Sequence, residues 1–472
     1  MEKLTKIVAT IAGNKCQPDF IKALIDAGMN AVRINTAHQD IATAVDVVKN
    51  IRMVSDEIPL IIDTKGPEVR TSVKTLPFEV ATGDLIRVEN DINKEILERV
   101  MYVNYSDFCK YIKVSSKVLI DDGETEFTVI ERFDDHLICR AENAGVVKPK
   151  KSINVPGVDL KLPSLNAKDK EYVKFAADHD IAFIAHSFVR NKKDVETLQA
   201  EIDKYRGRTK IIAKIENQEG VDNIDEILPL VYGIMIARGD LGVEIAAEKI
   251  PVIQRQLINK CIHNRKVVIV ATQMLHSMIE NPRPTRAEAA DIANACFLGT
   301  DAIMLSGETA YGKYPLESVQ FMTKIALEVE KNKSFIRDKK ILPIDNEVSG
   351  FLAKTAVRSI EKLGVKVLIC DTHTGKTARY LSAFRGNKPI YAQCYDRRTK
   401  RELGIVYGVT ADYMDEEVSK TDFRTETLKM LLTKKELKSN DYVVMLAGNF
   451  GRKVGPSFVE IIKVSDLLSE IK

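Results

Sequence analysis

A repeated alternation constrains this chain more than any other feature. Short apolar runs end in polar residues and give way to amphipathic, helix-like segments. The runs are Lys6–Ile11, Ala31–Ile34 and Leu60–Ile62, then Ile181–Ser187, Lys210–Glu216, Gly233–Arg238, Val267–Thr272 and Ala302–Ser306. Eight parallel strand–helix units predict a closed (β/α)8 barrel in preference to an open doubly wound sheet. From about Thr71 to Leu162 the alternation stops. There, β-like runs (Leu85–Val88, Lys117–Ile120, Phe127–Ile130, His136–Arg140) are separated by turn signals such as Asp122-Gly123. This predicts an all-β domain, a small barrel, inserted after the third unit. Beyond Ile341, runs at Lys366–Cys370, Pro389–Gln393 and Tyr442–Leu446 alternate with helices, as in a smaller α/β domain. The expected division is therefore 1–70 with 163–341 for the barrel, 71–162 for the insertion and 342–472 for the last domain.

A chain of 472 residues exceeds one ordinary core, in keeping with several domains. Its 45% hydrophobic and 29% charged residues fit a soluble globular protein. A net charge of +3 is too small for a dedicated nucleic-acid or polybasic membrane surface. The N-terminus shows no signal-peptide core, and no apolar run is long enough to span a bilayer. Seven scattered cysteines without a CxxC pair read as reduced core thiols. The expected location is the cytoplasm.

Barrel active sites lie at the C-terminal strand ends. Polar residues collect there: Arg33 and Asn35, Asp63 and Lys65, Ser187 and Arg190, Lys214 and Glu216, Arg238 and Asp240, Thr272, Ser306 and Glu308. In Lys214-Ile215-Glu216 the two charges share one strand face. An ordinary ion pair is the simple reading of that pair alone. Asp240, at the end of the next strand, changes the weighing. Neighbouring strands lie about 4.8 Å apart, so Glu216 and Asp240 can share a divalent cation. Arg33 and Arg70 offer guanidinium forks suited to phosphoryl oxygens. Thr285-x-x-Glu288 is a capping box, and a plain helix start explains it equally well. His38, His186 and His276 lack metal-ligand spacing and read as neutral, hydrogen-bonded histidines. There is no Walker loop and no dinucleotide fingerprint.

Taken in order, the segments RINTAH (33–38), Asp63 to Thr71, KSINVPG (151–157), SFVR (187–190), IIAKIENQEG (211–220), MIARGDLGVE (235–244), ATQMLHSM (271–278), PRPTRAE (282–288) and IMLSGET (303–309) resemble the pyruvate kinase family. The likeness is to the bacterial type without an extra C-terminal domain. It covers essentially the whole chain. It implies Mg²⁺-dependent phosphoryl transfer from phosphoenolpyruvate to ADP, yielding pyruvate and ATP. The resemblance further implies that Arg33, Lys214, Gly239, Asp240 and Thr272 contact phosphoenolpyruvate, with Lys214, Thr272 and Arg33 catalytic. Glu216 and Asp240 would hold Mg²⁺ or Mn²⁺, and Asn35, Asp63 and Thr64 would hold K⁺. Asn35, His38, Arg70 and Lys151 would surround the nucleotide. Glu68 is the residue type of potassium-dependent members. The inserted domain would close as a lid, and the assembly would be a homotetramer. Thr374, Gly375, Lys376 and Thr377 resemble the loop that takes a sugar-phosphate effector, with a plain helix cap as the alternative.

Several positions depart from the family pattern. Ala37 stands where a potassium-binding Ser is usual. Ala12-Gly13-Asn14 replaces Gly-Pro-Ala/Ser, Ala290 a Ser near the proton-donating network, His276 a Glu, and Ser152 a Gly. Two other readings compete with the kinase. One is a phosphoenolpyruvate/pyruvate-barrel lyase. The other is a catalytically weakened paralogue that binds sugar phosphate and regulates a partner.

Overall fold

The computed structural model describes residues 3–90, 96–332, 347–415, 426–429, 431–433, 437–448 and 456–469. The expected boundary between 341 and 342, and the chain end at 472, lie outside the described residues.

The barrel strands are β1 (Lys6–Thr10), β2 (Ala31–Asn35) and β3 (Leu60–Asp63), followed after an insertion by five more. The insertion contributes β4 (Val69–Arg70), β5 (Phe78–Val80), β6 (Leu85–Asn90), β7 (Val100–Val103), β8 (Lys117–Ile120), β9 (Thr125–Arg132), β10 (His136–Ala141), β11 (Gly145–Val147) and β12 (Ser152–Asn154). The barrel resumes with β13 (Phe183–His186), β14 (Lys210–Ile215), β15 (Gly233–Ala237), β16 (Val267–Ala271) and β17 (Ala302–Leu305). These eight strands close in the order β1-β17-β16-β15-β14-β13-β3-β2, all neighbours parallel. Several strands end one or two residues earlier than the apolar runs suggest, because the chain turns where the polar residues begin.

Strand alternation divides the barrel's side chains into two cores. Ile7, Val32, Ile62, Ile184, Ile215 and Val270 join the apolar faces of the surrounding helices. Val8, Ala31, Ile61, Ala185, Ile212 and Met235 form the interior, and that interior is continuous with apolar residues of the last domain. The interior parity matters for function. Continued toward the C-terminal strand ends, it reaches Arg33 and Asn35 from Ala31, Asp63 from Ile61, Ser187 from Ala185, and Lys214 and Glu216 from Ile212. One face of each strand thus passes from closely packed apolar layers to a charged mouth.

The inserted domain is a seven-stranded sheet, ordered β4-β12-β8-β9-β10-β6-β7, with β11 and β5 paired separately. A bridge between Thr71 and Val103 brings its two edges together. It has its own core, including Val88, Met101, Phe127 and Leu137. The all-β expectation misses one short helix, Phe108–Tyr111, whose Phe108 and Cys109 are buried. One turn is too short to show a helical period.

The last domain holds β18 (Val367–Thr372), β19 (Ile390–Cys394), β20 (Val409–Tyr413), β21 (Tyr442–Ala447) and β22 (Phe458–Lys463), ordered β20-β19-β18-β21-β22. The two outer strands, β20 and β22, are absent from the sequence reading. Both lie at sheet edges and are mostly half-buried, so they lack the continuous apolar run of the three inner strands. No helix among the described residues is long and apolar enough to cross a membrane.

Candidate active site

The mouth of the barrel gathers a buried network of opposite charges. Arg33 donates from Nε to Asp63 Oδ2 at 2.5 Å and from Nη1 to Thr10 Oγ1 at 3.0 Å. Lys214 Nζ lies 3.1 Å from Asp63 Oδ1 and 2.9 Å from Glu216 Oε1, and donates to Ser187 Oγ at 2.7 Å. Asp63 and Glu216 are 1% exposed, Arg33 and Lys214 9%. Charges this deep are tolerated only when paired and hydrogen-bonded.

The electrostatics follow from that pairing. Burial raises the Asp63 carboxyl, but Arg33 and Lys214 prevail and hold it below the usual carboxylate range. Burial likewise opposes charge on Lys214, but Asp63 and Glu216 hold the ammonium well above its ordinary value. Lys214 therefore stays charged in a low-dielectric setting, where its field is strongest. Glu216 is pushed up by burial, against Lys214 and with help from Asp240 and Asp63. Its Oε2 accepts the Phe188 N–H at 2.7 Å, whereas Oε1 is buried with no aligned hydrogen-bond donor among the described residues.

Asp240 is not at the end of a strand, as its sequence position suggests. It sits in the first turn of a short helix, Arg238–Glu244, that starts directly after β15. Gly239 N–H donates to Thr272 Oγ1 at 2.8 Å, which ties that helix to the turn after β16. Thr272 is left-handed, with φ +68°.

Asp63 leads into Thr64-Lys65-Gly66. Thr64 Oγ1 accepts the Ser187 N–H at 3.1 Å, and Ser187 Oγ donates to Thr64 O at 2.6 Å. Gly66 has φ +69°, and a Cβ there would come within 2.8 Å of Ser187 Cβ. Only glycine fits this turn without strain. It launches the inserted domain over the mouth, leaving a cavity of about 860 Å³ between the two. Arg70, Lys151 and Asp240 line this cavity, and so do Asn217 and Glu244. Burial pushes Glu244 up to about 7. Arg70 forks onto Glu68 at 2.8 and 3.1 Å, and Lys151 Nζ lies 2.7 Å from Asp121.

The structure thus brings Arg33, Asp63, Lys214 and Glu216 together, joins Thr272 to Gly239, and sets Arg70, Lys151 and Asp240 around one cavity. Asn35 and His38 do not line it. His38 is exposed, and Asn35 Oδ1 accepts the Ala37 N–H at 3.1 Å. Sequence reasoning gave no role to Thr10, which anchors Arg33, or to Glu244; Thr10 ends β1, a strand-end position that could have singled it out, whereas Glu244 ends a short helix and carries no such signal. Neither ring nitrogen of His186 meets a well-aligned hydrogen-bond partner among the described residues, and the Asp194 backbone is the group near enough to favour its proton. The capping box is real: Thr285 and Glu288 exchange bonds, and Glu288 also takes Ser277 N–H at 2.7 Å.

On the opposite side of the barrel, Thr374 and Lys376 line a second cavity of about 730 Å³ between the barrel and the last domain. Gly375, with φ +74°, precedes the helix Lys376–Ala383 and provides no side-chain cap.

The family profile described as "Pyruvate kinase, barrel domain" matches residues 2–319, and "Pyruvate kinase, alpha/beta domain" matches 351–464. A pyruvate kinase of Borreliella burgdorferi is 47% identical over 99% of both chains. One of Bacillus licheniformis is 37% identical over 99% of this chain and 81% of its own. A crystal structure of a pyruvate kinase from Cryptosporidium parvum superposes with a TM-score of 0.90 at 33% identity, covering 98% of this chain and 96% of that one. Barrel, last domain and full-length likeness agree, and the chain belongs to the pyruvate kinase family.

Proposed function

We propose that this chain transfers the phosphoryl group of phosphoenolpyruvate to ADP, giving pyruvate and ATP, at the charged mouth of the barrel. Its relatives carry the name of that enzyme, which favours phosphotransfer over the lyase and over the binding-only paralogue. The observation that carries the residue assignment is Lys214, an ammonium buried at the mouth and held charged by Asp63 and Glu216.

Phosphoryl transfer needs positioning and charge neutralisation more than covalent chemistry. Lys214 faces the migrating group and stabilises the charge that spreads over its oxygens. Arg33, fixed by Asp63 and Thr10, presents its guanidinium beside it. Gly239, Asp240 and Thr272 complete the phosphoenolpyruvate site, and Thr272 serves protonation of the enolate. Arg70 and Lys151 receive the nucleotide from the cavity beneath the inserted domain, and Asn35 and His38, which do not line that cavity, are assigned to it on the family resemblance alone. The inserted domain excludes water, so that ADP is the acceptor.

The residues fit a hard divalent cation. Glu216 Oε1 is a buried carboxylate oxygen facing the Lys214 ammonium, and Asp240, near enough to help raise the Glu216 carboxyl, lines the cavity beneath the inserted domain. Two carboxylates, with water and substrate filling the other positions, suit Mg²⁺ or Mn²⁺. Asn35, Asp63 and Thr64 are assigned to a K⁺ site on the family resemblance. When bound, these cations supply positive charge against the phosphoryl oxygens. Thr374, Gly375, Lys376 and Thr377 are the candidate effector loop, placed at the start of the helix Lys376–Ala383, where a phosphate can be cradled. The cytoplasm is the proposed location and a homotetramer the proposed assembly.

Metal dependence tests the assignment. Glu216→Gln and Asp240→Asn are each expected to raise the Mg²⁺ concentration for half-maximal rate at least about tenfold. An unchanged Mg²⁺ profile in both variants contradicts the site.

A further inference from the structure

We infer that Arg238 is a positioning residue for the protonation half of the reaction, acting through Thr272 by locking the turn after β16. The inference rests on the role given above to Thr272. Thr272 has φ +68° and Gln273 φ +54°. A β-branched residue in the left-handed region is a backbone outlier that persists only where its surroundings over-determine it. Here a guanidinium acts together with the threonine's own hydroxyl bonds.

Strands β15 and β16 are neighbours, paired to Ala237 and Ala271 at their ends. Arg238 follows directly, and its side chain is 11% exposed. Nη2 donates to Thr272 O at 2.7 Å, and Nε reaches Ala271 O at 3.4 Å. Nη1 bonds Asp291 Oδ2 at 2.5 Å, on the helix Arg286–Leu298. The fork therefore fastens two successive carbonyls of the strained turn to a fixed carboxylate on a third element. Its consequence is the placement of one hydroxyl. Thr272 Oγ1 accepts the Gly239 N–H at 2.8 Å and donates to Ala271 O at 2.6 Å. Without the fork, both carbonyls lose a donor and the threonine is free to relax to negative φ. That swings Oγ1 away from Gly239. A lysine replaces the fork only in part, because one point charge does not serve two carbonyls and a carboxylate in fixed directions.

The test uses the full-length protein and two readouts. One is ATP formation from phosphoenolpyruvate and ADP. The other is exchange of pyruvate methyl protons in D₂O with Mg²⁺, K⁺ and ATP, which reports proton movement at C3 alone. Arg238→Met is expected to slow exchange about tenfold or more, with KM for phosphoenolpyruvate changed less than about threefold. Asp291→Asn moves exchange in the same direction by less, and Arg238→Lys recovers part of the loss. The double variant Arg238→Met/Thr272→Ala is expected to be no slower in exchange than Thr272→Ala, because the arginine acts through the threonine. Circular dichroism checks folding. If Arg238→Met does not fold, Asp291→Asn and Arg238→Lys carry the comparison. Exchange that falls in Thr272→Ala but stays intact in the folded Arg238 and Asp291 variants overturns the inference, as does full additivity in the double variant. Exchange unaffected by Thr272→Ala overturns the Thr272 assignment itself, and this inference with it.

Discussion

His186 shows how far one residue can shape the chain's response to pH. It lies on the outward-facing side of β13 and is fully buried. Burial lowers its pKa to about 4, against the attraction of Asp194 and with the repulsion of Lys214 and Arg190. The folded state therefore refuses a proton that the unfolded chain accepts below its ordinary value near 6.5. Stability from this group is fully present above about pH 6.5 and is lost as pH falls toward 4, by up to about 3 kcal/mol. His186→Gln removes the titration, so its unfolding free energy is expected to fall less steeply than wild type between pH 6.5 and 4. Equal slopes in denaturant titrations contradict this account. The histidine's burial is not legible in the sequence, because an outward strand position can face water or a helix. Arg33, Asp63, Lys214 and Glu216 are legible, since each stands two residues beyond an interior position, or four in the case of Glu216, and parity alone brings them together. Asp240 is read only in part: its carboxylate is recognisable, but Arg238 begins a helix where the sequence suggests a strand end.

At the scale of elements, helix starts and strand ends position the chemistry. The helix Arg286–Leu298 begins with a reciprocal cap between Thr285 and Glu288, and Glu288 also holds Ser277. Thr285→Ala is expected to cost about 1 kcal/mol of stability. Glu288→Ala, which also frees the Ser277 turn, is expected to cost more; thermal unfolding of the pair checks the order. In the inserted domain, Arg70 and Lys151 rest on Glu68 and Asp121 beside the large cavity. A nucleotide phosphate has only to draw them from these partners. Lys151→Ala is expected to raise KM for ADP about tenfold, the loss of one charge-assisted hydrogen bond, with KM for phosphoenolpyruvate nearly unchanged. The reverse pattern in steady-state kinetics contradicts the lid assignment. The alternation that marks the eight barrel strands is strong because both faces of each strand are buried. The edge strands β20 and β22 and the single turn Phe108–Tyr111 escape it, being half-exposed or too short for a period.

At the scale of the molecule, the barrel and the last domain share one apolar core. A fully buried ion pair crosses that boundary. Arg385 bonds Asp301 at 2.6 Å and Gly299 O at 2.8 Å, while Asp301 also accepts the backbone N–H groups of Val268 and Tyr407. Breaking such a pair from one side leaves an uncompensated charge, at about 3–5 kcal/mol. Arg385→Ala is therefore expected to lower the unfolding of barrel and last domain together, as a single calorimetric transition. Separate transitions, with the barrel's unmoved, contradict the shared core. This joint is invisible in sequence, where Asp301 and Arg385 are two of many charges. The central claim concerns Lys214, and the direct measurement is pyruvate formation from phosphoenolpyruvate and ADP with Mg²⁺, with and without K⁺. The account predicts turnover in the wild type and a loss of at least about 100-fold in folded Lys214→Met. Turnover that survives this substitution, or its absence from folded wild-type protein under every cation condition, contradicts the account.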